Sequence, residues 1–313
     1  MLKEINYNAQ SKMSGGFPAV KKTGAVGPHA EAEPFVFHNR LYRLELSDPT
    51  HGTDSSIPAF AIIRDRESGD ILSRFGRGCY YYSLYIENDT VYVIGTKSIK
   101  PNLYGNTLII YDSCDLVTWH SRELLVRSDV HICNTSMTRG PHGYVLCAEI
   151  SGPEEIVGTP NTVFFACSDD MVHWTWMDDS KAYAKDRYFG SPWFRYSRGY
   201  YYLIAVAELP CRRYTNYIYR TKDFDTWEVG YYNQILMPGE DDRKLSSYAN
   251  DISGELLHQI RTAFISSNSG IAMCDWNGKT LMVYGVGNQC GFYYLAEAEY
   301  NGSIDDYFEA NFK

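Results

Sequence analysis

One pattern recurs three times along this chain: a Ser or Thr, an Asp two residues on, and a Trp four beyond that. It reads Ser113, Asp115, Trp119 in SCDLVTW; Ser168, Asp170, Trp174 in SDDMVHW; and Thr221, Asp223, Trp227 in TKDFDTW. The copies begin 55 and 53 residues apart. Self-similarity near that period marks a stacked or radially repeated unit, each copy being one supersecondary element. The motif itself predicts a structural role. An Asp in a tight turn accepts hydrogen bonds from the backbone amides that follow it, and the Trp is placed to cover the edge of its unit.

Upstream of these motifs the chain reads as hairpins. The stretches 33–46, 80–96, 134–150, 191–209 and 268–287 each hold two apolar runs around a turn: His38-Asn39, Asn88-Asp89, Gly140 to Gly143, Ser197-Arg198-Gly199 and Asn277-Gly278. Asn-Gly and related pairs between such runs are a strong hairpin signal. A third apolar strand follows each hairpin, as in PAFAIIRD, NTLIIYDS and NTVFFACS, and three of these run into the Asp–Trp motif. Each unit is therefore about four antiparallel strands. Five such units arranged radially predict an all-β five-bladed β-propeller. It forms one domain over 1–313, with blades at approximately 28–78, 79–128, 129–186, 187–264 and 265–313. Residues 1–27 are an N-terminal segment available to close the ring. Only 252–260 and 304–312 read as helical.

Composition narrows the function. A net charge of −9 and no Lys/Arg stripe argue against nucleic acid and against an anionic membrane surface. No apolar run approaches the length of a membrane span, and the first residues lack the apolar core of a signal peptide, so a cytoplasmic protein is expected. The eight Cys form no CxxC pair and several sit in apolar strands, which reads as buried free thiols. The 27 Tyr suit strand packing first and sugar stacking second. No phosphate loop, nucleophile elbow, zinc motif or Ca²⁺ loop is present, and no cofactor is expected.

Small hairpin blades carrying Ser-x-Asp-x-x-x-Trp resemble the five-bladed propeller glycosidases: the arabinanase and β-xylosidase family, the invertase family and their relatives. The resemblance spans roughly residues 28–300 and implies a glycoside hydrolase with a carbohydrate substrate. In the arabinanase type, blade one opens with Asp-Pro-x-Ile/Val, whose Asp is the general base; here the stretch is Glu33-Pro34-Phe35-Val36. Blade three opens with an Asp where this chain has Asn134. Blade four opens with Glu-x-Pro, whose Glu is the general acid; here it is Gly190-Ser191-Pro192. The chain thus resembles a divergent member. Related propellers sometimes hold a divalent cation on the axis, and no ligand cluster in this sequence marks one.

Glycoside hydrolysis ordinarily needs two carboxylates, about 6.5–9.5 Å apart for inversion and about 5–5.5 Å for retention. His29, Glu31 and Glu33 alternate and so share one face of a strand. Adjacent carboxylates raise each other's pKa, which keeps an acid protonated near neutrality; a solvated acidic edge is the plain alternative. Glu149 and Glu208 each end an apolar strand in what reads as a corresponding position, and they are the expected substitutes for the missing acid. Glu33 as base with Glu149 or Glu208 as acid gives an inverting enzyme acting on a small oligosaccharide at the channel mouth. Asn134, Asn268, Asn288 and Gln289 are placed to bond sugar hydroxyls, and Tyr81 and Trp193 to stack on a ring. Arg43, Arg139 and Arg195 are placed to clamp an anionic group or to neutralise acids within the protein. Asp54 and Asp251 read as turn caps. Two other readings stay open: a non-catalytic carbohydrate-binding propeller, and a glycoside phosphorylase using a cationic pocket.

Overall fold

A computed structural model of the chain describes residues 18–29, 31–48, 57–99, 104–288 and 291–313. Five four-stranded antiparallel sheets are arranged as a five-bladed β-propeller. Blade one holds β2 (Ala32–Phe37), β3 (Arg40–Ser47), β4 (Phe60–Asp65) and β5 (Ile71–Phe75). Blade two holds β6 (Cys79–Glu87), β7 (Thr90–Lys97), β8 (Thr107–Ser113) and β9 (His120–Val126). Blade three holds β10 (His131–Gly140), β11 (Gly143–Gly152), β12 (Thr162–Ser168) and β13 (Thr175–Trp176). Blade four holds β14 (Phe189–Ser197), β15 (Tyr200–Leu209), β16 (Arg213–Thr221) and β17 (Trp227–Val229). Blade five holds β18 (Ser267–Trp276), β19 (Lys279–Gly287) and β20 (Tyr293–Tyr300). Its fourth, outermost strand is β1 (Val20–Gly27), which pairs antiparallel with β20.

The hairpin turns take the left-handed backbone their residues favour. His38 and Asn39 have φ of 46° and 59°, Asn88 and Asp89 50° and 58°, and Asn277 and Gly278 51° and 76°. Such turns match the twist of the strands they join. The Asp–Trp motifs fold as predicted. Asp115 Oδ1 accepts the Val117 and Thr118 amides at 2.8 and 2.7 Å. Asp170 does the same for Val172 and His173, and Asp223 for Asp225 and Thr226. Blade one keeps the Asp without the Trp: Asp65 accepts the amides of Glu67 and Ser68.

Each Trp reaches back to the preceding blade. Trp119 stacks on Phe75 with ring centroids 3.9 Å apart and donates to Ser73 Oγ, both on β5. Trp227 stacks on Phe165 of blade three. The apolar core accordingly lies between blades: Phe35, Leu44 and Ile63 of blade one pack with Leu84 and Val93 of blade two. Two helices cover the periphery, α2 (Gly254–Thr262) and α3 (Ile304–Asn311), numbered after the single-turn α1 (Glu154–Val157). From α3, Phe308 stacks on Tyr202 at 4.1 Å.

Candidate active site

The site begins with irregularities on the innermost strands. In blades two to five, two residues on the inner strand oppose one on its neighbour. These β-bulges fall between Tyr80 and Ser83, Ile132 and Thr135, Gly190 and Trp193, and Ser269 and Ala272. Blade one's β2–β3 register is unbroken. A bulge re-aims side chains and frees backbone groups from the ladder. Three bulge residues are left-handed: Tyr81 (φ 56°), Ser191 (φ 46°) and Gly270 (φ 60°). For Tyr and Ser that conformation stores backbone strain, which tends to gather at functional sites. All three line a cavity of about 550 Å³ at the channel mouth, a volume suited to a small-molecule ligand.

Carboxylates stand in this cavity. Glu33, on β2, is 8% exposed. Its Oε2 accepts the Leu84 amide at 3.3 Å and lies 3.9 Å from Arg195. Burial pushes its carboxyl up to about 7, against the pull of Arg195. Glu31 continues the same register, its carbonyl accepting the Leu46 amide. Its side chain is open to the cavity, yet that opening is a concavity walled by protein. Desolvation there, with the negative charges of Glu149 and Asp48, also pushes its carboxyl up to about 7.

Glu149 sits directly behind the wall. It is the residue opposite the blade-three bulge, and it is 3% exposed. Asn134 Nδ2 and the Ser191 amide donate to its Oε2, both at 2.7 Å, and Asn161 Nδ2 donates to its Oε1. Burial raises its pKa while those donors lower it. A Cβ on Gly190 would lie 3.0 Å from Glu149 Oε1 and 2.8 Å from Tyr188 Oη. The space beside residue 190, where the resemblance expects an acid, is thus occupied by a carboxylate reaching across from blade three.

His29, Glu31, Glu33, Tyr81, Asn134 and Trp193 line the cavity. Arg195 stands behind Glu33, over the Trp193 ring at 4.5 Å, and bonds Ser136 Oγ and two backbone carbonyls. Other expected residues lie elsewhere. Arg43 is fully buried and donates to Glu45, Glu297 and Asn250. Arg139 pairs with Glu87 on an exposed face. Asn268 is buried beside Asn216 and Asp242. Asn288 follows β19 and does not line the cavity, and Asp251 pairs with Arg64. Gln289 and Asp54 fall outside the described residues.

Glu208 lies exposed near the end of β15, outside the cavity wall. The positions of Glu149 and Glu208 do not correspond: the β15 residue opposite its bulge is Ala205, because Gly190 pairs with Val206 and Trp193 with Ile204. The apolar run of β15 simply extends further. Tyr188, Tyr214, Ser191 and Asp48 also line the cavity and were not foreseen. Pro192 was the available signal for Ser191, since a Pro inside an inner strand points to a bulge. Among the described residues no group of three His, Cys, Asp or Glu is placed to hold a metal ion, and no helix is long and apolar enough to cross a membrane.

No protein-family model and no curated protein matches the sequence. Solved structures do match. A glycoside hydrolase superposes with a TM-score of 0.58 at 11% identity, over 95% of this chain and 96% of its own. The arabinanase of Bacillus subtilis gives 0.54 at 12%, over 89% and 96%. An α-L-arabinofuranosidase from Podospora anserina, solved with cellotriose, gives 0.62 at 8%, over 92% and 98%. The chain therefore has the fold of the five-bladed β-propeller glycoside hydrolases, at a sequence distance that marks it as divergent. A shared fold at such identity leaves function to be argued from the site.

Proposed function

We propose that this protein is a glycoside hydrolase that cleaves a small oligosaccharide at the channel mouth by inversion, with Glu33 as base and Glu31 as acid. The observation that carries this reading is the pair of carboxyl groups on one cavity wall, each pushed up to about 7. Their surroundings separate their roles. Arg195 beside Glu33 favours its ionised form, suited to drawing a proton from water. Glu149 and Asp48 near Glu31 favour its protonated form, suited to giving a proton to the leaving oxygen. Alternate positions put both side chains on one wall of the cavity, and inversion requires their carboxyl groups to stand about 6.5–9.5 Å apart. Glu31 takes the acid role because it stands in the cavity, whereas Glu208 lies outside and Glu149 is enclosed by N–H donors. The fold neighbours include an arabinanase and an arabinofuranosidase, which makes arabinosides the first substrates to try.

A second reading, a propeller that binds sugar without cleaving it, draws on Gly190 and Asn134 standing where the resemblance expects acids. The phosphorylase reading needs cations in the pocket, and among the described lining residues none is Lys or Arg. The test is turnover of a panel of aryl glycosides and oligosaccharides. Glu33→Gln and Glu31→Gln are expected to lower kcat/KM by about 10²–10⁴, with Glu208→Gln near wild type. A collapse in Glu149→Gln with Glu31→Gln unaffected moves the acid to Glu149. Saturable sugar binding with no turnover of any substrate establishes the binding reading.

A further inference from the structure

Asn134 presents a polar edge to the cavity that no protein group meets. It lies in the blade-three bulge, between Ile132 and Thr135, and it lines the cavity. The bulge is held from blade two, where Thr96 Oγ1 donates to the Cys133 carbonyl at 2.7 Å. The Asn134 side chain is held by Glu149, its Nδ2 donating to Oε2 at 2.7 Å. A third group fixes that direction. The Ser191 backbone N–H donates to the same Oε2 at 2.7 Å. A backbone N–H cannot turn over, so Oε2 is an acceptor and Asn134 meets it with its NH₂. The amide oxygen is left at the opposite corner of the group. Asn134 Oδ1 accepts no hydrogen bond among the described residues. Nor is it enclosed: the buried, unpartnered side-chain atoms among those residues are Nε1 of Trp174, Trp176 and Trp193 and Oδ1 of Asn311. It therefore opens on the cavity as a bare acceptor.

We infer that Asn134 is a specificity-determining residue whose amide oxygen accepts a hydrogen bond from one hydroxyl of the bound sugar, and that Glu149 is the positioning residue that keeps this oxygen, and not the NH₂, toward the ligand. This role rests on the cavity being the sugar site proposed above and not on its hydrolysing anything. An amide free to rotate would take a ligand that offers either a donor or an acceptor. An amide fixed by Glu149 demands a donor. A ligand with an ether, a fluorine or a hydrogen at that point leaves Oδ1 unpaired, and a site built around a ligand hydroxyl discriminates against such analogues. The alternative is that the bond between Asn134 and Glu149 only stiffens the bulge. Its loss would then weaken every ligand alike.

The test is calorimetric binding of methyl α-L-arabinofuranoside, methyl β-D-xyloside and methyl β-D-galactoside, each beside its single deoxyfluoro analogues. Fluorine approximates a hydroxyl in size and cannot donate. In the wild type, fluorine at one ring position is expected to weaken binding at least about tenfold. In Asn134→Leu, which keeps the bulk and removes the acceptor, the hydroxyl and fluoro ligands should bind within about twofold of each other at that position, while penalties at other positions persist. Glu149→Leu, which lets the Asn134 amide rotate, should shrink the same ratio. Glu149→Gln should keep it. The Ser191 N–H selects the Gln oxygen at the Oε2 position, the Gln NH₂ falls opposite Asn161, whose amide turns over, and Asn134 keeps its direction. Should Glu149→Leu not fold, Asn134→Leu and Glu149→Gln still decide the matter. Fluoro penalties that all survive Asn134→Leu overturn the inference, and loss of the ratio in Glu149→Gln overturns the positioning role. If the ratios behave as expected in a protein that turns over none of the aryl glycosides, the inference stands and the hydrolase reading falls. If turnover occurs and no ratio responds to Asn134→Leu, the hydrolase reading stands and the inference falls. If none of these glycosides binds, the inference falls whatever the aryl glycosides show.

Discussion

Glu33 holds its proton more tightly in the fold than in an unfolded chain, and that difference is a stability term. Its ordinary value is 4.5 and its folded value about 7. Between those limits the native state binds the extra proton, so stability falls as pH rises through the window and the penalty is complete above about 7. The Tm of the wild type should therefore drop relative to Glu33→Gln between pH 5 and pH 8, and calorimetry at several pH values checks it. A difference that stays flat across the window contradicts the burial argument. Asp115 works in the opposite sense. The Thr118 and Val117 amides hold its carboxyl down to about 2, so its contribution is present above its usual 3.8 and is lost as pH falls toward 2. Asp115→Ala should lower Tm near neutrality and leave sugar turnover per folded molecule unchanged, because the turn lies far from the cavity wall in both sequence and blade position.

The bulges decide where chemistry can stand, and they were the part of the fold hardest to read from sequence. Strand order was legible because apolar alternation and Asn-Asp, His-Asn and Asn-Gly pairs each mark a physical event, a buried face or a left-handed turn. A bulge announces itself less clearly. Tyr81 and Ser191 adopt positive φ although neither residue type favours it, and only Pro192 hinted at the break in pairing. The consequence was an error of register. Glu149 is the seventh residue of β11 and Glu208 the ninth of β15, so equating them by the end of an apolar run misplaced one of them. Glu33 was singled out by the resemblance of Glu33-Pro34 to a blade-opening Asp-Pro, and it lines the cavity. Gly190 tests the bulge directly. Its added Cβ would press on Tyr188 Oη at 2.8 Å and Glu149 Oε1 at 3.0 Å. Gly190→Ala should leave Tm within a few degrees, since flexible side-chain ends can shift, while displacing Glu149 and Tyr188 and weakening sugar binding several-fold. Titration of the variant with the same sugars measures it. Unchanged affinity would separate Glu149 and Tyr188 from ligand recognition.

A ring must be closed somewhere, and here the closure is electrostatic as well as β-sheet. β1 supplies the outer strand of blade five. Lys22 on that strand bonds Asp242 and the Met237 carbonyl. On the other side of the seam, Glu297 of blade five is fully buried and receives Arg43 and Arg66, both from blade one. Arg66 also lies over the Tyr248 ring at 3.6 Å. Buried ion pairs add little net stability against an apolar alternative, but removing one partner strands the other and typically costs about 3–5 kcal/mol. Glu297→Gln keeps the shape and deletes the charge, leaving Arg66 with no carboxylate that approaches it as Glu297 does. Its expected loss is therefore in that range, whereas Lys279→Ala, which breaks the exposed pair with Glu299, should change stability by less than about 1 kcal/mol. Location matters as much as size. Three of the other four junctions carry Trp119, Trp174 or Trp227 packed against apolar neighbours, and blades four and five share an apolar cluster with Trp193, Ile204 and Ile271, so weakening the seam should open the ring there first. Hydrogen exchange in Glu297→Gln should accelerate in β1, β20 and β2, while β11 and β12 keep their protection. Uniform acceleration in every blade would mean that the ring unfolds as one unit, and that the seam is no weaker than the apolar contacts between the other blades.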